Sequence, residues 1–270
     1  MRGKYYLLLQ KQEFGMKIII SLTSFPARIN AAIKVIEKMM NQTMRPDKIV
    51  LYLTSGQFPD KKLPEKLLKL RGDMVDIKFF DKPIKSYTKL IPALIDFPND
   101  IIITVDDDMY YPDNLVEELL RAHKKYPRAI CLNRTRRIKF AKDGQPLTYL
   151  KWPLYRSFRK FYLTRRPHPM NLVMGVGGVL YPPHCLHPLV TRDDMFMKLS
   201  PSADDLWFWV MAAKAGTCIK FVNNNRVKEH QFEDTQESAL MYENRTGGND
   251  RAMANILAEF PEVKKLAISS

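Results

Sequence analysis

Three adjacent carboxylates, Asp106, Asp107 and Asp108, close the apolar run Ile101-Ile102-Ile103-Thr104-Val105. Like charges at the end of a strand repel each other, and nothing in strand stability favours them. Gathered at a ligand-binding edge they are hard oxygen ligands that suit Mg²⁺ or Mn²⁺, an ion that keeps waters and takes substrate phosphate oxygens. The other reading is a polar turn ahead of the helix that Pro112 is expected to start, although Asp113 already supplies an acid for that purpose. A second acidic pair, Asp204-Asp205, lies in Pro201-Ser202-Ala203-Asp204-Asp205-Leu206-Trp207-Phe208-Trp209. Ser202 and Asp205 fit a capping box that opens a helix. Equally, one of the two carboxylates fits a general base, beside an edge of Trp207 and Trp209 on which a sugar could stack.

These residues need a scaffold, and the first half of the chain supplies its outline. Buried strands are predicted at Lys17–Leu22, Ile49–Leu53, Val75–Phe80 and Ile101–Val105. Between them stand a loop leading into a helix over 26–42, helical segments over 64–70 and 86–94, the last interrupted by Pro92, and a further helix from Pro112 to about His123. Strands separated by helices of this length predict an α/β fold, a mostly parallel sheet with helices on both faces. Ligands of such sheets bind beyond the carboxyl ends of the strands, where the three aspartates lie. The second half is less regular, with a short strand at Val179–Tyr181, another near Cys218–Val222 and a last helix around Arg251–Glu259.

The chain has 270 residues, which favours one large domain with insertions. At 46% apolar residues it is far from disordered composition. Cys131, Cys185 and Cys218 are widely spaced and form no C-x-x-C, against a disulfide framework or zinc cage and in keeping with a reducing compartment. No apolar run approaches the length of a membrane span. Residues 1–15 read as an extension ahead of a domain over 16–270, with Met16 a candidate start, and the chain is expected in the cytoplasm or on the inner face of the membrane.

The formal charge is +14, and residues 134–166 carry eleven Lys or Arg against the single acid Asp143. Trp152, Tyr155, Phe158, Phe161 and Tyr162 are interleaved with them. Such a stretch fits nucleic acid, an anionic membrane surface or an anionic lipid-linked acceptor, or it is a solvated insertion. With no nucleic-acid-binding motif in the chain, nucleic acid ranks last and a membrane-facing acceptor flank first.

Five segments occur in a telling order: Thr23-Ser24-Phe25-Pro26-Ala27-Arg28, Tyr87-Thr88-Lys89-Leu90, Asp106-Asp107-Asp108-Met109-Tyr110-Tyr111-Pro112, Gly175-Val176-Gly177-Gly178-Val179-Leu180-Tyr181-Pro182 and Ala203-Asp204-Asp205-Leu206-Trp207. Together they resemble a bacterial GT-A glycosyltransferase of the family-2-like kind found in capsule and lipopolysaccharide biosynthesis, over residues 16 to 258. The resemblance implies a GT-A-like, Rossmann-like single domain, with a nucleotide-binding half over about 16–125 and an acceptor half over about 126–270. It implies a nucleotide-sugar donor, a UDP-sugar by default, and a glycan or lipid-linked acceptor. Asp108 and Asp106 would hold Mn²⁺ or Mg²⁺, with His230 as a third ligand. Thr23, Arg28, Lys89 and Asp107 would contact the donor. Asp205 would be the base of an inverting reaction, and Gly177, Gly178, Asp204 and Trp207 would meet a sugar. The acidic pair is more often Glu-Asp in that family, a departure here. A retaining reaction would leave Asp205 only a positioning role.

Two rivals accompany this expectation. A nucleotidyltransferase shares the metal and phosphate chemistry and releases pyrophosphate, but usually has a Gly-rich, Arg- or Lys-bearing loop after the first strand, and Ser21–Arg28 has no glycine. A non-catalytic module would grip an anionic polymer or membrane through residues 134–166.

Overall fold

A computed structural model describes residues 15–155, 166–222 and 247–268. Seven strands form one mixed sheet: β1 (Ile18–Ser24), β2 (Lys48–Thr54), β3 (Val75–Phe80), β4 (Ile101–Thr104), β5 (Ile130–Leu132), β8 (Val179–Tyr181) and β9 (Ile219–Phe221). The spatial order is β3-β2-β1-β4-β8-β5-β9. A separate two-stranded ribbon pairs β6 (Thr135–Arg136) with β7 (Leu154–Tyr155). All pairings in the large sheet are parallel except those of β8, which runs antiparallel to β4 and to β5. Strands from both halves of the chain share this sheet, so the described residues form a single α/β domain with a mostly parallel, Rossmann-like sheet.

The strand sequences explain the layering. Side chains alternate between faces along a strand. In β1, Ile18, Ile20 and Leu22 join one buried apolar cluster and Ile19 joins the other. Both faces are therefore covered, which is why the strands read as continuous apolar runs rather than alternating ones. Helix α1 (Ile29–Met40) covers one face with Ile29, Ile33, Ile36 and Met39, the spacing of a single helical stripe. Helix α4 (Leu115–Lys125) joins it there through Leu115, Val116 and Leu119. The opposite face is covered by α6 (Asp204–Lys214), buried on nearly every side from Leu206 to Ala213, and by α7 (Asn249–Glu259).

Several element boundaries differ from the sequence expectation. The short helix α2 (Glu65–Leu68) occupies only the middle of 64–70. Residues 86–94 do not form one helix. A 3-10 turn, Lys85–Lys89, precedes α3 (Ile91–Asp96), and Pro92 lies in the first turn of α3, where its missing N–H costs nothing. Pro112 lies a turn before α4 and does not open it; its carbonyl accepts from Gln42 Nε2 at 2.8 Å. Asp113 does not cap that helix either: its carboxylate pairs with Lys38 on α1. The remaining described helices are α5 (Asp193–Leu199) and α8 (Lys265–Ile268).

Between β1 and β4 the strand order turns from 3-2-1 to 4. The crevice outside the carboxyl ends at such a point is where open α/β sheets bind ligands. The loop after β1 begins at Phe25 and the loop after β4 carries the three aspartates, so the two flank this crevice.

Candidate functional site

Local packing sets each charged group at the crevice. Ser21 on β1 donates from Oγ to the carbonyl of Lys89 at 2.6 Å, which fixes the 3-10 turn over the strand ends. Tyr87, stacked on Phe196, donates to the carbonyl of Ser200 at 2.7 Å and ties the same turn to the segment ahead of α6. After β4, the backbone N–H of Asp106 donates to the buried Tyr111 hydroxyl at 2.8 Å. These three hydrogen bonds hold the lysine and the first aspartate against each other.

The result is a chain of charges. Lys89 Nζ lies 3.0 Å from Asp106 Oδ1 and 3.9 Å from Asp204 Oδ2. Burial opposes the charge on Lys89, but Asp106, Asp204 and Asp205 outweigh it and hold its pKa well above the usual lysine value. On the other side Arg28 Nη1 lies 2.8 Å from Asp108 Oδ2 and 3.4 Å from Asp107 Oδ1. Asp107 is also held by the Ser24 hydroxyl, 2.6 Å from Oδ2. Burial still raises the Asp107 pKa against Ser24 and Arg28. Burial and the neighbouring Asp106 push Asp108 up to about 6, against the pull of Arg28.

Asp205 stands in the first turn of α6, where Oδ1 accepts the backbone N–H of Gly175 at 2.9 Å. Burial and Asp204 push its pKa up to about 7, against Lys89 and the Gly175 N–H. A carboxyl poised there exchanges a proton at neutral pH. Asp204 Oδ2 is buried and accepts no hydrogen bond. Its nearest cation, Lys89, is shared with Asp106.

The structure therefore brings Arg28, Lys89, Asp106, Asp107, Asp108, Asp204 and Asp205 into one site. Other expected residues lie differently. Thr23 donates from Oγ1 to the carbonyl of Tyr52 at 2.8 Å, tied to the neighbouring strand. Gly177 and Gly178 both have left-handed backbone, φ 90° and 91°. A Cβ on Gly178 would lie 3.1 Å from Leu115 Cδ1, so this glycine admits α4 rather than a ligand. Asn133 holds the Gly177 carbonyl at 3.0 Å. The glycine that meets the site is Gly175, which the sequence reading did not single out. A Cβ there would come within 2.4 Å of Lys89 Nζ. Gly175→Ala should therefore shift the lysine, a flexible end that moves at little cost, and leave the melting temperature nearly unchanged. Turnover should fall by about tenfold to a hundredfold, the penalty for misplacing a site group; a parallel loss of melting temperature would contradict this.

Trp207 is not a stacking edge. It is fully buried, packs on Phe196 and Phe260, and donates from Nε1 to the Val190 carbonyl at 3.0 Å. Trp209 is equally buried and bonds the Pro169 carbonyl. An indole that meets a carbonyl with its one polar atom is at home in a core. Trp207→Ala should cost about 3–5 kcal/mol, read as a lower denaturant midpoint; an unchanged midpoint would contradict the core role. The helix α6 begins at Asp204, with Ala203 rather than Ser202 at the position before it. His230 lies outside the described residues, as do residues 1–14 and 156–165 of the two terminal and basic stretches. In the described part of the basic stretch, Trp152 is buried in the core and Tyr155 nearly so, so neither faces a membrane.

No three His, Cys, Asp or Glu side chains among the described residues converge to cage a metal. The donor chemistry still fits a hydrated Mg²⁺ that takes few protein ligands. Asp106 and Asp108 are hard oxygen donors, the Asp108 pKa is raised by burial and then by a carboxylate neighbour that a cation would neutralise, and Asp204 Oδ2, across Lys89 from Asp106, is a buried acceptor without a hydrogen bond. No helix among the described residues is long and apolar enough to cross a membrane.

No family model and no curated protein matches the chain. Among solved structures it is similar to a 4-diphosphocytidyl-2C-methyl-D-erythritol synthase, at 12% identity and a TM-score of 0.47, over 90% of this chain and 99% of that one. The comparison corrects the expected glycosyltransferase membership and the expected sugar transfer: neither is supported. The functional reading below rests on the site itself.

Proposed function

We propose that this chain is a nucleotidyltransferase that joins a nucleoside monophosphate from a nucleoside triphosphate to a hydroxyl-bearing substrate. The observation that carries the reading is the single charge cluster at the switch point, in which a basic residue of the loop after β1 meets the carboxylates after β4. The missing glycine in Ser21–Arg28 counted against this chemistry. Arg28 offsets that objection, because it supplies the cation such a loop needs and presents it at the metal-binding carboxylates.

Asp106 and Asp108 would hold Mg²⁺, which when bound neutralises the triphosphate and the departing pyrophosphate. With a nucleotide present, Arg28 exchanges its carboxylate partner for phosphate oxygens, which its planar fork matches two at a time. Lys89 keeps its charge and offers a second cation on the same side. Asp205 takes the proton of the attacking hydroxyl. The hydroxyl oxygen bonds to the α-phosphorus, the bond from that phosphorus to its bridging oxygen breaks, and pyrophosphate leaves with the electron pair. Burial, then Asp204 next to it, keeps the pKa of this base raised against the pull of Lys89.

Thermal shift against nucleoside triphosphates, each with and without Mg²⁺, tests the binding half of this reading. A ligand that binds only the folded chain raises its melting temperature by mass action. A Mg²⁺-dependent rise for one triphosphate, absent in Arg28→Ala, is expected. A rise independent of Mg²⁺ and of Arg28, or none with any triphosphate, would contradict it.

A further inference from the structure

Residues 139–147 of the basic stretch fold into a hydrogen-bonded hairpin. Leu147 N donates to the Lys139 carbonyl at 2.8 Å, Ala141 N to the Gln145 carbonyl at 2.8 Å, and Phe140 bridges Pro146. Gly144 at its tip has φ 77°, a conformation that favours glycine. The hairpin faces His168, whose backbone exchanges two hydrogen bonds with Ile219, the first residue of the edge strand β9. Strand β9 is three places from β4, and the hairpin shares no residue with the charge cluster.

Between hairpin, edge strand and C-terminal segment lies a cleft of about 500 Å³, a size that suits a small ligand. Arg137, Lys139, Lys142 and Lys264 line it, with Asp143 as the one carboxylate among the described residues of its lining. Asp143 is already engaged, accepting the Gln145 backbone N–H at 2.9 Å. Arg137 is oriented by Asn171, which accepts from its Nε at 2.8 Å. His168 also lines the cleft, and its Nδ1 accepts the Met170 N–H at 3.0 Å. Its ring proton is therefore on Nε2, a neutral donor. Burial, with a further contribution from Arg137 and Lys139, pushes the His168 pKa down to about 4. Cations brought together from two distant parts of the chain repel each other, and a bound anion removes that cost.

We propose that this cleft is a second binding site and that its ligand is a phosphate group, carried by a free phosphorylated compound or by an anionic lipid headgroup. A preorganised Arg, three Lys and an imidazole N–H supply the charge-assisted donors that several phosphate oxygens accept. This inference is independent of the nucleotidyltransferase reading. It is tested in EDTA, so that metal-dependent binding at the carboxylates is silent.

The full chain is titrated calorimetrically with pyrophosphate, and separately floated with vesicles of phosphatidylglycerol in phosphatidylcholine. The same is done for Lys139→Glu/Lys142→Glu, both exposed positions, and for the milder Lys264→Gln, with melting temperatures as a check on folding. Saturable pyrophosphate binding names the free compound as the source; vesicle binding without it names the lipid. In either arm the double variant should weaken binding by roughly tenfold or more, the consequence of reversing two cations beside a phosphate, and Lys264→Gln by less. Binding in neither arm, or equal binding by wild type and folded variants, overturns the proposal.

Discussion

Asp205→Asn should leave a folded protein that still binds its nucleotide and turns over about a hundredfold to ten-thousandfold more slowly, the range lost with a positioned base. The wild-type pH profile identifies the same group. A base works only when ionised, so kcat/KM should be low in acid, rise through pH about 7 and level off above it, because Asp205 titrates at about 7. The variant should lose that inflection along with the rate. Its stability gives a separate sign. The Asp205 pKa is raised in the folded state, so between the ordinary aspartate value and about 7 the unfolded chain is ionised where the folded chain still holds its proton. This carboxyl therefore costs stability increasingly as pH rises through that window. At pH 8 the amide, which can still accept the Gly175 N–H, should match or exceed the wild-type melting temperature. A lower melting temperature with a parallel rate loss would reduce Asp205 to a structural residue; full activity in a folded variant would remove it as the base.

The second large effect is expected at Asp108. Asp108→Ala removes one of the two carboxylates that would hold Mg²⁺ and frees Arg28 from its 2.8 Å partner. Metal-dependent nucleotide binding should fall by about a hundredfold or more, the size of one lost preorganised electrostatic contact. Chelation of divalent ions in the wild type should give the same loss. Asp107→Ala, by contrast, deletes a buried acceptor for Ser24 and Arg28. Its main effect should be on the melting temperature. Equal losses of metal-dependent binding in the two variants would contradict this division of roles.

These roles were partly legible in the sequence, for physical reasons that differ by residue. The β1 and β4 strands show as largely apolar runs because both sheet faces are covered, and three adjacent carboxylates after β4 repel each other and do nothing for the strand itself. Such features are local. Strand β8 is not local: only three residues long, it lies antiparallel between β4 and β5, and its neighbours are set by tertiary pairing. The partner of Arg28 is 79 to 80 positions away and shows in no periodicity. Trp207 beside two aspartates resembles a binding edge, yet the helix phase turns its indole into the core to meet Val190. Gly175 was passed over for Gly177-Gly178, whose left-handed backbone serves the packing of Leu115. The meeting of Lys89 with Asp106 and Asp204 depends on two hydrogen bonds, from Ser21 and Tyr87, between elements far apart in the chain. The capping box S-x-x-D fits the pattern at Ser202, but the helix begins at Asp204, which leaves both carboxylates for the site.

The most direct test of the central claim is the identity of the leaving group. The protein is incubated with Mg²⁺, nucleoside triphosphates labelled at the α-phosphorus and a set of polyols and phosphorylated polyols, and released pyrophosphate is measured against label transferred. One pyrophosphate per nucleotidyl group transferred, abolished by Asp205→Asn and by chelation, is the expected result. Release of nucleoside diphosphate in its place, or no cleavage between the α- and β-phosphates while Mg²⁺-dependent binding persists, would contradict nucleotidyl transfer at this site.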